Sequence, residues 1–110
     1  MKDKMEEVFS LQKSFEEMMN LDRYPKDVEG KVSALCTAMI HEAVELQRTT
    51  NWKWWKKPVP FNQDNAREEL IDIWHFLIQA SIELGLTPDD ILKEYQRKNE
   101  INRQRQKDGY

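Results

Sequence analysis

Apolar residues recur every three or four positions along most of the chain, the spacing that gives a helix one oily face. Between about Lys4 and Met19 the residues Val8, Leu11, Phe15, Met18 and Met19 follow it, which predicts a first helix. Leu21 to Gly30, broken by Pro25 and Gly30, reads as a loop. From about Lys31 to Arg48, turning each residue by 100° gathers Val32, Leu35, Cys36, Met39, Ile40, Ala43 and Leu46 on one broad face. Pro58 and Pro60 interrupt the stretch Thr49 to Gln63, which therefore reads as a loop. The third helix is expected over about Asp64 to Leu84 and is the most apolar. Its Leu70, Ile71, Ile73, Trp74, Leu77, Ile78, Ala80, Ile82 and Leu84 cover more than half its circumference, so it should pack on more than one side, with Trp74 in the core. Gly85 ends it. Thr87-Pro88-Asp89-Asp90 then combines a capping hydroxyl, a proline suited to the first turn and acids at the positive end of a helix dipole. The fourth helix should run to about Gln104 or Gln106. No period-two alternation interrupts this pattern, and the class is all-α.

The length of 110 residues fits one domain, 1–110. A chain this short buries a modest share of its surface, so a second copy is expected to complete the core. Hydrophobic residues make up 39% and charged residues 34%, with a net charge of −3, which argues against a nucleic-acid-binding protein. No apolar run approaches the roughly 20 residues that span a bilayer, and Met-Lys-Asp-Lys-Met-Glu-Glu contains no signal-like apolar stretch, so the cytoplasm is the expected location. Cys36, the single cysteine, sits amid Leu35, Ala38, Met39 and Ile40 and is expected to be a small core residue.

Chemistry enters with two acid pairs. Glu42 and Glu45 on the second helix, and Glu69 and Asp72 on the third, are each three residues apart and project side by side. Antiparallel pairing of these helices would bring all four together, where they would repel unless a cation neutralised them. Oxygen ligands of this kind suit Mg²⁺ or Mn²⁺ rather than Zn²⁺, and Mg²⁺ keeps positions open for water and phosphate. A solvated stripe fits the same spacing. Glu68, Asp72, His75, Gln79 and Glu83 align on the third helix, and His41, Arg48 and Lys31 share the side of Glu45 on the second. Ala34 and Ala38 on the carboxylate side leave room for an approaching group. Periodicity alone does not separate the two readings.

Further segments do. Asn51-Trp52-Lys53-Trp54-Trp55-Lys56-Lys57 follows the first pair, and Asp72-Ile73-Trp74-His75-Phe76 extends the second. The tail carries Tyr95, Lys98, Asn99, Asn102, Arg105, Gln106, Gly109 and Tyr110, within a segment where five basic residues from Arg97 to Lys107 face three acids. Glu-x-x-Glu followed by Glu-x-x-Asp resembles the metal-binding pattern of the MazG-like all-α nucleoside triphosphate pyrophosphatases. With the tryptophan-lysine loop and the tail, the chain from Val32 to Tyr110 resembles the dimeric dUTPases within that superfamily.

The resemblance implies a four-helix, MazG-like bundle completed by dimerisation, forming a homodimer or higher homo-oligomer. It also implies hydrolysis of dUTP between its α and β phosphates, giving dUMP and pyrophosphate. Glu42, Glu45, Glu69 and Asp72 would hold Mg²⁺ (or Mn²⁺), with a glutamate, Glu42 or Glu45, orienting or deprotonating the attacking water. Lys56, Lys98, Asn102, Arg105 and Tyr110 would hold phosphates, Asn99 a phosphate or metal, and Gln12 and Trp52 the base or sugar. Such equipment suits phosphoryl transfer, which depends on positioning and charge stabilisation. Larger members carry extra helices where Glu83-Leu84-Gly85-Leu86-Thr87-Pro88 joins the third helix directly to the fourth. A pocket lacking them is expected to select uracil less stringently. The alternatives are a dCTP-preferring or broad-specificity house-cleaning pyrophosphatase and, in a different class, a helical interaction module whose acids are merely solvated.

Overall fold

The computed structural model describes residues 3–109 and consists of four helices: α1 (Lys4–Met18), α2 (Val28–Gln47), α3 (Gln63–Glu83) and α4 (Pro88–Lys107). No strand occurs among the described residues. Tyr110, expected in the phosphate site, lies outside them.

Local chemistry accounts for the boundaries. Asp3 caps α1 in a reciprocal box with Glu6. At α4, Asp90 N–H donates to the Thr87 hydroxyl at 3.1 Å and Thr87 N–H donates back to the Asp90 carboxylate at 2.9 Å, with Pro88 in the first turn. That backbone hydrogen bond, with the Thr87 hydroxyl, holds the Asp90 carboxyl below its usual value. The start of α2 differs from the expected Lys31. Asp27 accepts the Gly30 N–H at 3.0 Å and starts the helix at Val28, placing Gly30 inside the first turn. A Cβ on Gly30 would lie 2.7 Å from the Asp27 carboxylate and 3.0 Å from the Pro25 ring. The glycine there allows close approach of a folded-back segment rather than marking a loop.

Gly85 terminates α3 with φ +76°, and Leu86 N–H reaches back to the Ser81 carbonyl at 2.9 Å. This left-handed conformation costs a residue bearing a Cβ about 1–2 kcal/mol. A Cβ there would meet nothing within 4 Å, so backbone strain is the whole penalty. Gly85→Ala should therefore lower stability by about 1 kcal/mol in urea unfolding, with an unchanged m-value.

The hairpin of α2 and α3 forms the main packing, α1 lies against α3, and among the helices α4 touches only α1. Buried hydrophobic residues are few: Phe9, Leu35, Ile78 and Ala80. Much of the oily surface read from the sequence stays uncovered in a single chain. Cys36, expected in the core, is exposed, and so is Ile40 at 64%. Both lie outside the narrower face of α2 around Leu35 that reaches α3. Trp74 is likewise not core, being 44% exposed between Leu70 and Leu77, because α3 has more apolar surface than α1 and α2 cover. The Cα radius of gyration is 17.5 Å, against about 13 Å for a compact domain of this size. No helix among the described residues is long and apolar enough to cross a membrane.

Candidate functional site

The α2–α3 hairpin brings three of the four expected acids together. Carboxylate oxygens of Glu42, Glu69 and Asp72 lie within 4.8 Å of one another. Glu45 stands beside this group and adds to its negative field, but its carboxylate lies 3.7 Å from the Arg48 guanidinium. No ion pair to Glu42, Glu69 or Asp72 forms among the described residues. Desolvation between the helices, followed by the charges of Asp72, Glu42, Glu45 and Glu68, raises the Glu69 carboxyl above its usual value. Oxygen donors crowded without a compensating cation suit a hard divalent ion.

The sign of that shift sets a pH dependence. A group with a raised folded-state pKa contributes stability below its ordinary pKa and loses it as pH rises through the folded one. Glu69→Gln removes the repulsion, so its Tm advantage over wild type should widen between about pH 4 and 7. Saturating Mg²⁺ should narrow that gap by neutralising the wild-type cluster, as thermal melts at low ionic strength would read. A constant difference across this range would contradict the charge coupling.

Beside the acids is a hollow of about 410 Å³ lined by Phe15, Glu42, Asp72, His75 and Phe76. Phe15 and His75 also line an almost wholly apolar groove of about 290 Å³, with Val8, Leu11, Gln12, Ile71, Trp74 and Ile78. Three carboxylates thus adjoin a cleft with aromatic walls.

The stripe that resembled a wet helix side divides in two. Its N-terminal part, Glu68 and Asp72, is exposed, but α1 and the following loop cover its C-terminal part. Gln79 is 5% exposed; it accepts from Gln12 Nε2 at 3.0 Å and donates to Glu16 at 2.8 Å. Glu83 accepts from the Tyr24 hydroxyl at 3.0 Å and pairs with Lys31 at 3.4 Å. Burial, then the Glu83 hydrogen bond, pushes the Tyr24 hydroxyl well above its usual pKa. Gln12, expected to face a base, is itself buried, with Oε1 3.1 Å from His75 Nδ1. Glu16 and Tyr24 escaped the sequence reading, and Gln79 and Glu83 entered it only as part of a solvated stripe, since helical spacing does not tell which polar residues a neighbouring element covers.

The other expected ligands among the described residues lie on two further segments, the loop after α2 and α4. Trp52 and Lys56 sit on an exposed loop whose ends are clasped by Asn51, which donates to the Val59 carbonyl and accepts its N–H, both at 2.9 Å. Trp55 meets Trp52 and Trp54 edge to face at 5.9 and 5.3 Å, and Lys53 lies over Trp52. Lys98, Asn99, Asn102 and Arg105 are exposed on α4, which packs on neither acid-bearing helix. The Asn99 side chain accepts from Arg103 at 2.8 Å.

The chain is similar to the dCTP pyrophosphatase of Enterobacteria phage T4, at 32% identity over 60% of this chain and 46% of that protein. It also resembles the dCTP pyrophosphatase of Enterobacteria phage LZ5, at 35% identity over 60% and 45%. The chain thus spans just under half the length of the curated relatives it matches. No solved structure matches it closely enough to add to this. The model of the dUTPase family matches residues 4–88 and 78–110. With its four helices and its paired acids, the chain belongs to the dUTPase family.

Proposed function

We propose that the protein is a divalent-metal-dependent nucleoside triphosphate pyrophosphatase that releases pyrophosphate from a deoxynucleoside triphosphate, with dUTP as its substrate. The observation that carries this reading is the cluster of Glu42, Glu69 and Asp72, of which Glu42 and Asp72 line a hollow with the aromatic rings of Phe15 and Phe76. Mg²⁺ held there, with Glu45 completing the donor set, would supply charge neutralisation at the phosphates and lower the pKa of a bound water. Glu42 orients the attacking water and takes its proton at a carboxylate oxygen. Phe15 and Phe76 offer apolar surface to the nucleoside while the acids stay at the phosphate end. Lys56, Lys98, Asn99, Asn102, Arg105, Trp52 and Tyr110 act from the loop and tail, where Arg can grip phosphate oxygens with paired bonds and Lys acts as a mobile charge.

A homodimer is part of this proposal. The exposed apolar surface, the extended shape and the separation of α4 from the acids all support a site completed by a second copy. A second substrate reading, dCTP, is favoured by the names of the phage relatives.

Hydrolysis of dUTP, dCTP, dTTP and UTP with Mg²⁺ tests both. The expected result is monophosphate and pyrophosphate, fastest from dUTP, with little from UTP. Faster dCTP turnover would replace uracil by cytosine, equal rates would end the dUTPase reading, and no turnover of any would leave a non-enzymatic helical module.

A further inference from the structure

We propose that Glu16 is a positioning residue that sets the hydrogen-bond polarity of the nucleoside cleft, acting through Gln79 and Gln12 to hold His75 with Nδ1 protonated and Nε2 presented as an acceptor. The inference rests on the cleft being the nucleotide site, and it adds what the cleft reads there: a hydrogen-bond donor on the nucleoside.

A chain of side chains runs from α1 to the cleft. Glu16 accepts from Gln79 Nε2 at 2.8 Å, Gln79 Oε1 accepts from Gln12 Nε2 at 3.0 Å, and Gln12 Oε1 lies 3.1 Å from His75 Nδ1. Each amide could in principle be turned end for end, and an imidazole can carry its proton on either nitrogen. The ends of the chain remove that freedom. A carboxylate only accepts, so Gln79 must turn its NH₂ toward Glu16. Gln79 Oε1 then faces Gln12 and must receive an N–H, which leaves Gln12 Oε1 toward the histidine. An oxygen there requires Nδ1 to donate.

Gln12 and Gln79 are 8% and 5% exposed, so water does not readily replace a mismatched partner. With Nδ1 committed, the other edge of the neutral ring carries the bare lone pair of Nε2. His75 borders both the apolar groove and the hollow holding Glu42 and Asp72. An acceptor at that junction suits an N–H of the pyrimidine or a sugar hydroxyl.

Histidine labelled with ¹⁵N in the full chain, with His41→Gln for assignment, reads the tautomer directly while the ring is neutral. His75 should be the Nδ1–H form in wild type. In Glu16→Gln, an isosteric group that donates as well as accepts, it should shift toward the Nε2–H form. An Nε2–H ring in wild type, or an unmoved tautomer in Glu16→Gln, would overturn the relay. Gln12→Glu places an acceptor-only group directly against Nδ1, so adding Glu16→Gln to it should leave the Nδ1–H form intact. A shift there would show that Glu16 does not act through position 12.

With dUTP and Mg²⁺, Glu16→Gln should raise KM roughly threefold to tenfold, the scale of one hydrogen bond, with kcat nearly unchanged. An unchanged KM would refute the ligand contact. The source of the donor follows from analogues: N3-methyl-dUTP or the 3′-deoxy nucleotide, whichever lacks the contacted group, should lose its sensitivity to Glu16→Gln. Persistent sensitivity with both would also refute the contact. Inactivity of wild type toward every nucleotide defeats the enzymatic reading instead, and the tautomer measurements still decide the relay.

Discussion

Asp72→Asn should lower turnover by at least about a hundredfold, the scale seen when one transition-state stabilising group is lost, without unfolding the protein. Asp72 is exposed on α3, and its carboxylate faces Glu42 and Glu69 within 4.8 Å, so nothing in the core depends on it. Removing its charge relieves the crowding that raises Glu69. The metal-free variant should therefore melt at the same temperature as wild type or higher, while gaining less from added Mg²⁺. These two directions distinguish a metal site from a structural role, since a structural aspartate would lose activity and stability together. Near-normal turnover, with melting measured on the same sample, would remove Asp72 from the site.

Ile40→Glu should convert the proposed dimer to monomers. Ile40 is 64% exposed in the single chain, where a charged replacement changes stability by about 0.5 kcal/mol or less. It lies on α2 one turn from both Cys36 and Val44, a stripe that neither α1 nor α3 covers. Against a second copy the same substitution buries an unpaired carboxylate, which costs several kcal/mol and weakens association by a hundredfold or more. Sedimentation equilibrium across a concentration series reads the difference. A wild-type monomer, or a variant that associates as wild type does, would place the interface elsewhere or nowhere.

The two tests concern residues that the sequence presented very differently. Asp72 belongs to a spaced pair, and α-helical geometry puts such pairs side by side wherever they occur. What periodicity could not decide was whether the pairs met. Packing of α2 on α3 resolved that for Glu42, Glu69 and Asp72 and left Glu45 next to Arg48. Ile40 and Cys36 looked like core because an oily face has the same period whether it meets the same chain or another. Gly30 is a related case. Its permissiveness suggested a loop, yet Asp27 and Pro25 fold against it and need the space that a Cβ would fill.

The polar stripe of α3 shows the division most plainly. Its helical alignment follows from spacing, but solvent exposure does not. Docking of α1 buried Gln79 and joined it to Gln12 and Glu16, whereas Asp72, two turns away, stayed in the open beside the acids. The four helices, the Thr87 cap and the Gly85 stop were determined by the sequence alone, because propensity, capping and periodicity act over a few residues, whereas the start of α2 at Asp27 was not read from it. Which acids converge, which glutamines are buried and which apolar faces are left for a partner depend on residues as many as 67 positions apart. Only the tertiary structure decided them, since contacts at that separation leave no pattern in local order.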